Sequence, residues 1–197
     1  MNLKIKETLL LFIIIFIPSI SFSIEPKDFI QTTVDEASGI LSEQITDEKK
    51  IEKLKSLAIN AVDVRGIGFY TLGKHRKDLT DDQKKKYLEL FEGYFLKSFS
   101  SRLVEYTDPQ IDVVSQEVLN KSYTIVNSTL KGTDQRPEIK IDWRVYTKNP
   151  DKPLIRDLII EGLSLARTQK EEFTSIINSN DGDIKALFET LQKFAEK

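Results

Sequence analysis

Residues Glu138–Thr147 read EIKIDWRVYT and alternate between apolar and polar side chains along their length. Successive side chains of a β-strand point to opposite faces, so a period of two predicts a strand with one buried and one wet face. The apolar set consists of Ile139, Ile141, Trp143 and Val145. This stretch therefore predicts a sheet with one apolar face.

Three further strands are predicted around it. Ile111 and Val113 begin a segment of period two, and Ser122–Leu130 is rich in β-branched residues. Leu154–Glu161 is apolar on both faces at Leu158-Ile159-Ile160, which is typical of a more central strand. Short polar turns separate these segments. We therefore predict an antiparallel sheet of about four strands.

Helical periodicity occupies the rest of the chain. Asp63 can cap a short helix closed by Gly73, and Thr80-Asp81-Asp82-Gln83 fits a capping box. The predicted helices cover about 26–44, 47–61, 64–72, 81–106, 163–178 and 183–195. Because helices precede and follow the strands in separate blocks, the prediction is a single α+β domain, with the sheet packed against a helical layer.

The helix predicted from Asp81 carries an aromatic stripe. Its aromatic side chains recur three or four residues apart, so most of them share one face. Such a stripe is either core packed on a sheet or the wall of a ligand site. Both interpretations stay open from the residues alone.

Residues 1–23 have the features of a secretory signal peptide. Lys4 and Lys6 precede LLLFIIIFI at 9–17, and Ser21 and Ser23 supply small residues before a cut after Ser23. Nine apolar residues are too few for a bilayer, which takes about 20. No cysteine follows, which excludes a lipid anchor. We expect a single domain, residues 24–197, released as a soluble protein, and the lack of disulfides favours a bacterial periplasm.

Composition excludes several kinds of site. The formal net charge is −2, so no electrostatic footprint for nucleic acid is present. The chain has no cysteine and one histidine, His75, which rules out a thiolate nucleophile and a multi-histidine metal site. His75 itself is predicted to be a surface or packing residue rather than a general base. No metal, catalytic residue or cofactor is predicted.

Two short motifs have competing interpretations. Gly66-Ile67-Gly68 lacks a preceding strand and a third glycine, so we interpret it as close helix packing rather than a phosphate loop. Asp157 and Glu161 could pair as two carboxylates, but we favour a strand end with an exposed acid. Bonding of Asp157 to a neighbouring helix terminus or an arginine would be a reasonable structural role.

An ordered set of segments resembles one known family. The segments are Val62-Asp63-Val64, Phe69–Lys74, Thr80–Lys84, Phe95-Leu96 through Ser101–Tyr106, Arg156–Leu165 and Phe173–Ile177. Together they are similar to the Mla/Ttg2 toluene-tolerance family, the periplasmic auxiliary component of the Mla ABC transport system. Two positions depart from the family pattern, Phe69 in place of a basic residue and Pro153-Leu154 in place of a tryptophan–lysine pair.

The resemblance implies a fold and a function. The fold would be a curved antiparallel sheet on helices, an NTF2-like cone with a deep apolar cavity. The protein would be a periplasmic phospholipid carrier, not an enzyme, with the phospholipid as cargo. It would act, as a monomer, between an outer-membrane lipoprotein–porin complex and an inner-membrane ABC transporter with an MCE-domain subunit. Such transport maintains outer-membrane lipid asymmetry.

We expect the cavity wall to come from the sheet and the helices. The candidate lining residues are Val64, Ile67, Tyr70, Phe91, Phe95, Phe99, Ile125, Ile139, Ile141, Trp143, Val145, Ile159 and Leu163. Two alternatives remain. One is an NTF2-like enzyme on a small apolar substrate, which needs an acid or His75 inside the pocket. The other is a periplasmic interaction or chaperone module with a solid core.

Overall fold

The computed structural model describes residues 23–106, 108–134 and 136–196. The predicted signal peptide, residues 1–23, lies outside the described residues except for Ser23. Over the described ranges the chain forms six α-helices and five β-strands. The helices are α1 Pro26–Ser42, α2 Asp47–Ala61, α3 Val64–Thr71, α4 Asp81–Leu103, α5 Leu165–Asn178 and α6 Ile184–Glu196. None of these helices is long and apolar enough to cross a membrane.

The strands form one antiparallel meander. They are β1 Ile111–Asn120, β2 Tyr123–Leu130, β3 Ile139–Tyr146, β4 Leu154–Ile160 and β5 Leu163–Ser164. Each strand pairs with the next along the chain, so β1 and β5 are the two edges. The register shifts twice between β1 and β2 and once between β3 and β4, near Arg144 and Val145. The prediction of an α+β domain with an antiparallel sheet is confirmed, and β5 adds a short fifth strand.

The helices cover one face of the sheet. Helix α1 packs on β1 and β2, and α3 and α5 pack on β4, whereas α4 packs on α2, α3 and α6. The main core joins both layers, with Val126, Val145 and Ile155 from the sheet and Tyr87 and Phe91 from α4. A second, separate cluster lies between α1 and α2 and contains Ile40, Leu41, Leu54 and Leu57.

Both predicted helix caps are present. The Thr80 hydroxyl accepts from the Gln83 N–H at 3.2 Å, and the Gln83 side chain accepts from the Thr80 N–H at 2.9 Å. Asp63 accepts from the Gly66 N–H at 2.8 Å at the start of α3. A 3-10 helix, Gly73–Lys77, follows α3 and was not predicted.

Several predicted helix boundaries are wrong by one to three residues, and two of them adjoin the sheet. Helix α4 ends at Leu103 rather than near Tyr106, and α5 begins at Leu165 rather than Leu163. At the second boundary Gly162 takes a φ of +81°, which turns the chain back so that Leu163-Ser164 pairs with β4. The Ser164 hydroxyl then caps α5 by accepting from the Arg167 N–H at 3.1 Å.

Candidate binding site between the sheet and helix α4

Strand register determines which side chains face the helices. Residues paired directly across strands point to the same face of a sheet. Val126 is fully buried in the main core and pairs with Trp143, which pairs with Leu158. The same face therefore carries Leu130, Ile139, Ile141, Val145, Ile155 and Ile160.

Helix α4 supplies a ladder of four aromatic rings. Tyr87, Phe91, Phe95 and Phe99 follow one another at intervals of four residues, which places neighbours on the same helix face. Their ring centroids are 5.8, 6.0 and 5.8 Å apart, with interplanar angles of 27°, 27° and 8°. Tyr87 and Phe91 belong to the main core, and Phe95 and Phe99 pack against its edge.

Side-chain burial decreases along both the aromatic face of α4 and the helix-facing side of β3. On α4, Tyr87 and Phe91 are buried, whereas Phe95 and Phe99 are half-buried. On β3, Val145 is buried, whereas Trp143, Ile141 and Ile139 are half-buried.

The two open ends lie at the same end of the molecule. The segment after α4 meets the β2–β3 loop there, since the Arg136 guanidinium lies 4.9 Å from the centroid of the Tyr106 ring. We call this region the interlayer site. We define it by the half-buried apolar residues nearest that end, which are Leu130, Ile139, Ile141, Ile160, Phe95 and Phe99.

The polar groups on this face bond to one another. The Trp143 indole N–H donates to the Ser128 hydroxyl at 2.8 Å, and that hydroxyl donates to the Ile141 carbonyl at 3.0 Å. Ser128 is itself buried. These internal hydrogen bonds leave a surface that offers a ligand mainly apolar contact.

The predicted lining residues divide into three groups. Those on the facing surfaces of the two layers are Phe91, Phe95, Phe99, Ile139, Ile141, Trp143 and Val145. Ile125 and Ile159 lie on the other sheet face, because they pair with Arg144 and Asp142. Ile67 is buried in the main core, Val64 is half-buried, and Tyr70 and Leu163 are exposed by 44% and 60%.

Five apolar residues of β2 and β4 on the helix-facing side were missed by the sequence prediction, namely Val126, Leu130, Ile155, Leu158 and Ile160. The alternation of β3 predicts that Ile141 points inward, and Ile141 pairs with Ile160. Ile160 could therefore have been found only from the register between β3 and β4, which the sequence does not give. That the predicted residues line a cavity stays a prediction.

Two clefts lie on the helical layer instead. One, of about 560 Å³, is lined by residues of α3 and α4, among them Val64 and Phe69. The other, of about 760 Å³, lies beside Tyr70 and α5. Both have charged side chains in their walls, and no strand residue lines either of them.

Asp157 has a structural role. Its buried carboxylate accepts from the Ser164 hydroxyl at 2.6 Å and the Ala166 N–H at 3.0 Å, and from Arg144 at 3.3 Å. The prediction that Asp157 bonds to a helix terminus or an arginine is therefore confirmed, whereas the expectation of an exposed acid is wrong for Asp157, which is buried. Glu161 is exposed and accepts from the Lys140 N–H, so the two carboxylates serve different partners.

The remaining candidates for chemistry are dispersed. His75 is half-buried on the 3-10 helix, which precedes all of the strands in the chain. Within the described ranges, no group of three or more histidine, aspartate or glutamate side chains could hold a metal ion. Gly66-Ile67-Gly68 lies inside α3, where a Cβ at Gly68 would be 2.8 Å from Phe91 Cδ1. The interpretation of this motif as close packing is confirmed.

Fold and site together define an α+β protein with an open antiparallel sheet whose apolar face meets a helical layer. A family model described as MlaC protein matches residues 31–193. The chain belongs to the MlaC protein family. This confirms the resemblance seen in the sequence.

A solved structure shares the fold. It is a phospholipid-binding protein from Ralstonia solanacearum in complex with a phospholipid, with 18% sequence identity and a TM-score of 0.73. The match covers 88% of this chain and 98% of the other. A search among curated proteins finds no match to this sequence.

Proposed function

We propose that this protein binds a phospholipid with its acyl chains in the interlayer site and carries it through the periplasm. It would pass the lipid between an outer-membrane lipoprotein–porin complex and an inner-membrane MCE-domain ABC transporter, and so help to maintain outer-membrane lipid asymmetry. It would act as a monomer, with no catalytic step. The observation that carries the proposal is the half-buried apolar surface that both layers present to each other at one end of the molecule.

The physical chemistry of such a cargo fits this surface. Each acyl methylene exposed to water costs about 0.8 kcal/mol, so a carrier must cover most of both chains. Full burial of an apolar side chain contributes about 1.5–3 kcal/mol, and the six side chains of the interlayer site are already half-buried. Burying the remaining half of each would contribute about 5–9 kcal/mol in total. An affinity in the micromolar range corresponds to about 8 kcal/mol. Apolar contact alone is therefore of the right size.

Family membership and the fold neighbour support the choice of ligand. The Ralstonia solanacearum protein holds a phospholipid in a fold that matches nearly the whole described chain. The leader features of residues 1–23 and membership in the MlaC family support the periplasm and the two partners. Asp157 is bonded at the start of α5, so this carboxylate is not available as the acid that the enzyme alternative needs in the interlayer site.

The experiment is native mass spectrometry of full-length protein exported to a bacterial periplasm, followed by lipid extraction. We expect one phospholipid per chain. Ile141→Asp should abolish it, because a carboxylate would face the acyl chains. The matched control is Ile59→Asp, which places the same charge at an exposed position on α2. A lipid-free wild-type spectrum, with no uptake from labelled phosphatidylglycerol vesicles, would refute the proposal.

A further inference from the structure

We propose that Phe91 forms the closed floor of the interlayer site and that Gly68, against which the edge of its ring packs, sets the floor's depth. The pair would thereby limit the length of acyl chain that the protein holds. The inference rests on the proposed function, because it concerns which phospholipids the same site accepts.

Phe91 is the first fully buried ring of the aromatic ladder. It is 1% exposed, and its centroid lies 6.0 Å from that of half-buried Phe95. Phe173 of α5 braces it edge-on, at 6.2 Å and 89°. On the sheet, Val126 and Val145 are likewise fully buried. An acyl chain entering between Phe99 and the sheet would therefore meet solid core at Phe91.

Gly68 lets the Phe91 ring lie directly against helix α3. A Cβ built at Gly68 would be 2.8 Å from Phe91 Cδ1 and 3.2 Å from Leu88 Cδ2. Real Cβ atoms do not come so close to a ring, so an alanine would push the ring away from α3. Glycine inside a helix costs about 1 kcal/mol relative to alanine. The ring contact gives a reason for glycine at this buried position.

One rung of the ladder corresponds to several methylenes. Four residues of α-helix rise about 6 Å, which matches the 6.0 Å between Phe91 and Phe95. An extended chain spans about 3.3–3.6 Å for three bonds, or about 1.2 Å per bond. Removing the Phe91 ring would thus make room for up to about five more methylenes of an acyl chain. Moving the ring toward Phe95 by part of this 6.0 Å spacing would shorten the chain that fits.

These two residues predict changes of opposite sign. Phe91→Leu shortens the floor residue and deepens the site, so it should favour longer chains. Gly68→Ala displaces the ring from α3. Because buried Tyr87 and Phe173 block two other directions, the ring should move toward half-buried Phe95 and into the site, which should favour shorter chains. In the double variant the smaller leucine accommodates the new methyl, so its preference should return toward that of the wild type. A general loss of stability would not produce this pattern.

The experiment measures competitive uptake by the full chain from vesicles of equimolar dimyristoyl and distearoyl phosphatidylglycerol. The readout is the ratio of distearoyl to dimyristoyl lipid bound, determined by mass spectrometry. Each additional methylene held is worth about fourfold in affinity. We expect Phe91→Leu to raise the ratio at least about fourfold and Gly68→Ala to lower it by a similar factor.

The control is Leu57→Ala, in the separate cluster between α1 and α2, which should leave the ratio unchanged. If Phe91→Leu fails to fold, Phe91→Met tests the same change with a smaller loss of volume. An unchanged ratio in the Phe91 and Gly68 variants, with lipid still bound, would overturn the assignment of the floor and leave the proposed function standing. A wild-type protein that takes up neither lipid would overturn both.

Discussion

Asp157 should be among the most sensitive positions for stability outside the apolar core. It joins the sheet to α5, because the carboxylate on β4 accepts from Ser164 and from the Ala166 N–H at the helix start. It also faces Arg144 across the β3–β4 pair, and its side chain is only 2% exposed. Replacing Asp157 with alanine removes all of these bonds at once.

The loss in the free energy of unfolding can be estimated from the groups that Asp157→Ala leaves without a partner. A hydrogen bond to a charged group contributes about 1.5–3 kcal/mol, and breaking a buried pair costs about 3–5 kcal/mol. Arg144 would lose its carboxylate partner, and its Nε already lacks a partner among the described residues. We expect Asp157→Ala to cost about 3–5 kcal/mol. Asp157→Asn, which can still accept one bond, should cost about 2 kcal/mol.

The assay is urea unfolding followed by circular dichroism, with thermal melting as a second measure. For a domain of this size, each kcal/mol shifts the melting temperature by about 2–4 °C. Asp183→Ala is the matched control, because Asp183 caps α6 through the Lys185 N–H at an exposed position. It should cost about 1 kcal/mol. A loss below about 1 kcal/mol in Asp157→Ala would refute the reasoning that this carboxylate ties the sheet to α5.

Three further predictions concern stability. Burial raises the pKa of Tyr87 above its ordinary value near 10, despite the opposing effect of its hydrogen bond with Thr71. The folded state therefore holds the hydroxyl proton more tightly than the unfolded state, so its contribution to the free energy of unfolding is intact below about pH 10 and is lost as the pH rises further. Tyr87→Phe should reduce the loss of stability at alkaline pH measured by urea unfolding. An identical loss in the variant would contradict the assignment. Arg156→Lys should cost about 1–2 kcal/mol in urea unfolding, because lysine cannot reproduce the forked bonds to Asp63 and Tyr123; equal stability would count against that role. Thr80→Ala should lower stability by about 1 kcal/mol through loss of the capping box, and no loss by the same assay would show that α4 does not depend on it.

The element types were largely predictable because their signals are local. Capping chemistry at Thr80 and Asp63 and the alternation of β3 each act within a few residues. Strand β1 was harder. Most of its ten residues are exposed on both faces, so no apolar alternation marks its length. Its pairing with β2 defines it instead.

The orientation of β2 and β4 could not be predicted from their sequences. In β2, β-branched and aromatic side chains occupy both parities, so the choice between Ile125 and Val126 is ambiguous. In β4, Leu158-Ile159-Ile160 is apolar on both faces, and the irregularity near Arg144 changes the parity. A shift of one residue exchanges the two faces of a strand. This is why Ile125 and Ile159 were chosen and Leu158 and Ile160 were not.

The sequence left open whether the aromatic stripe is core or ligand wall, and the structure shows that the burial of its rings changes along α4. Around Tyr87 and Phe91 the stripe is solid core, braced by α3, α5 and α6. One and two turns later, at Phe95 and Phe99, the rings on the same face are half-buried and lie opposite the half-buried end of the sheet. An empty cavity costs about 24 cal/mol per Å³, so one that ran the length of the helix would exceed the 5–15 kcal/mol that stabilises a typical domain. A helix that is packed at one end and open at the other avoids that cost, since the closed end holds the fold together while the open end leaves apolar surface for the proposed ligand to cover.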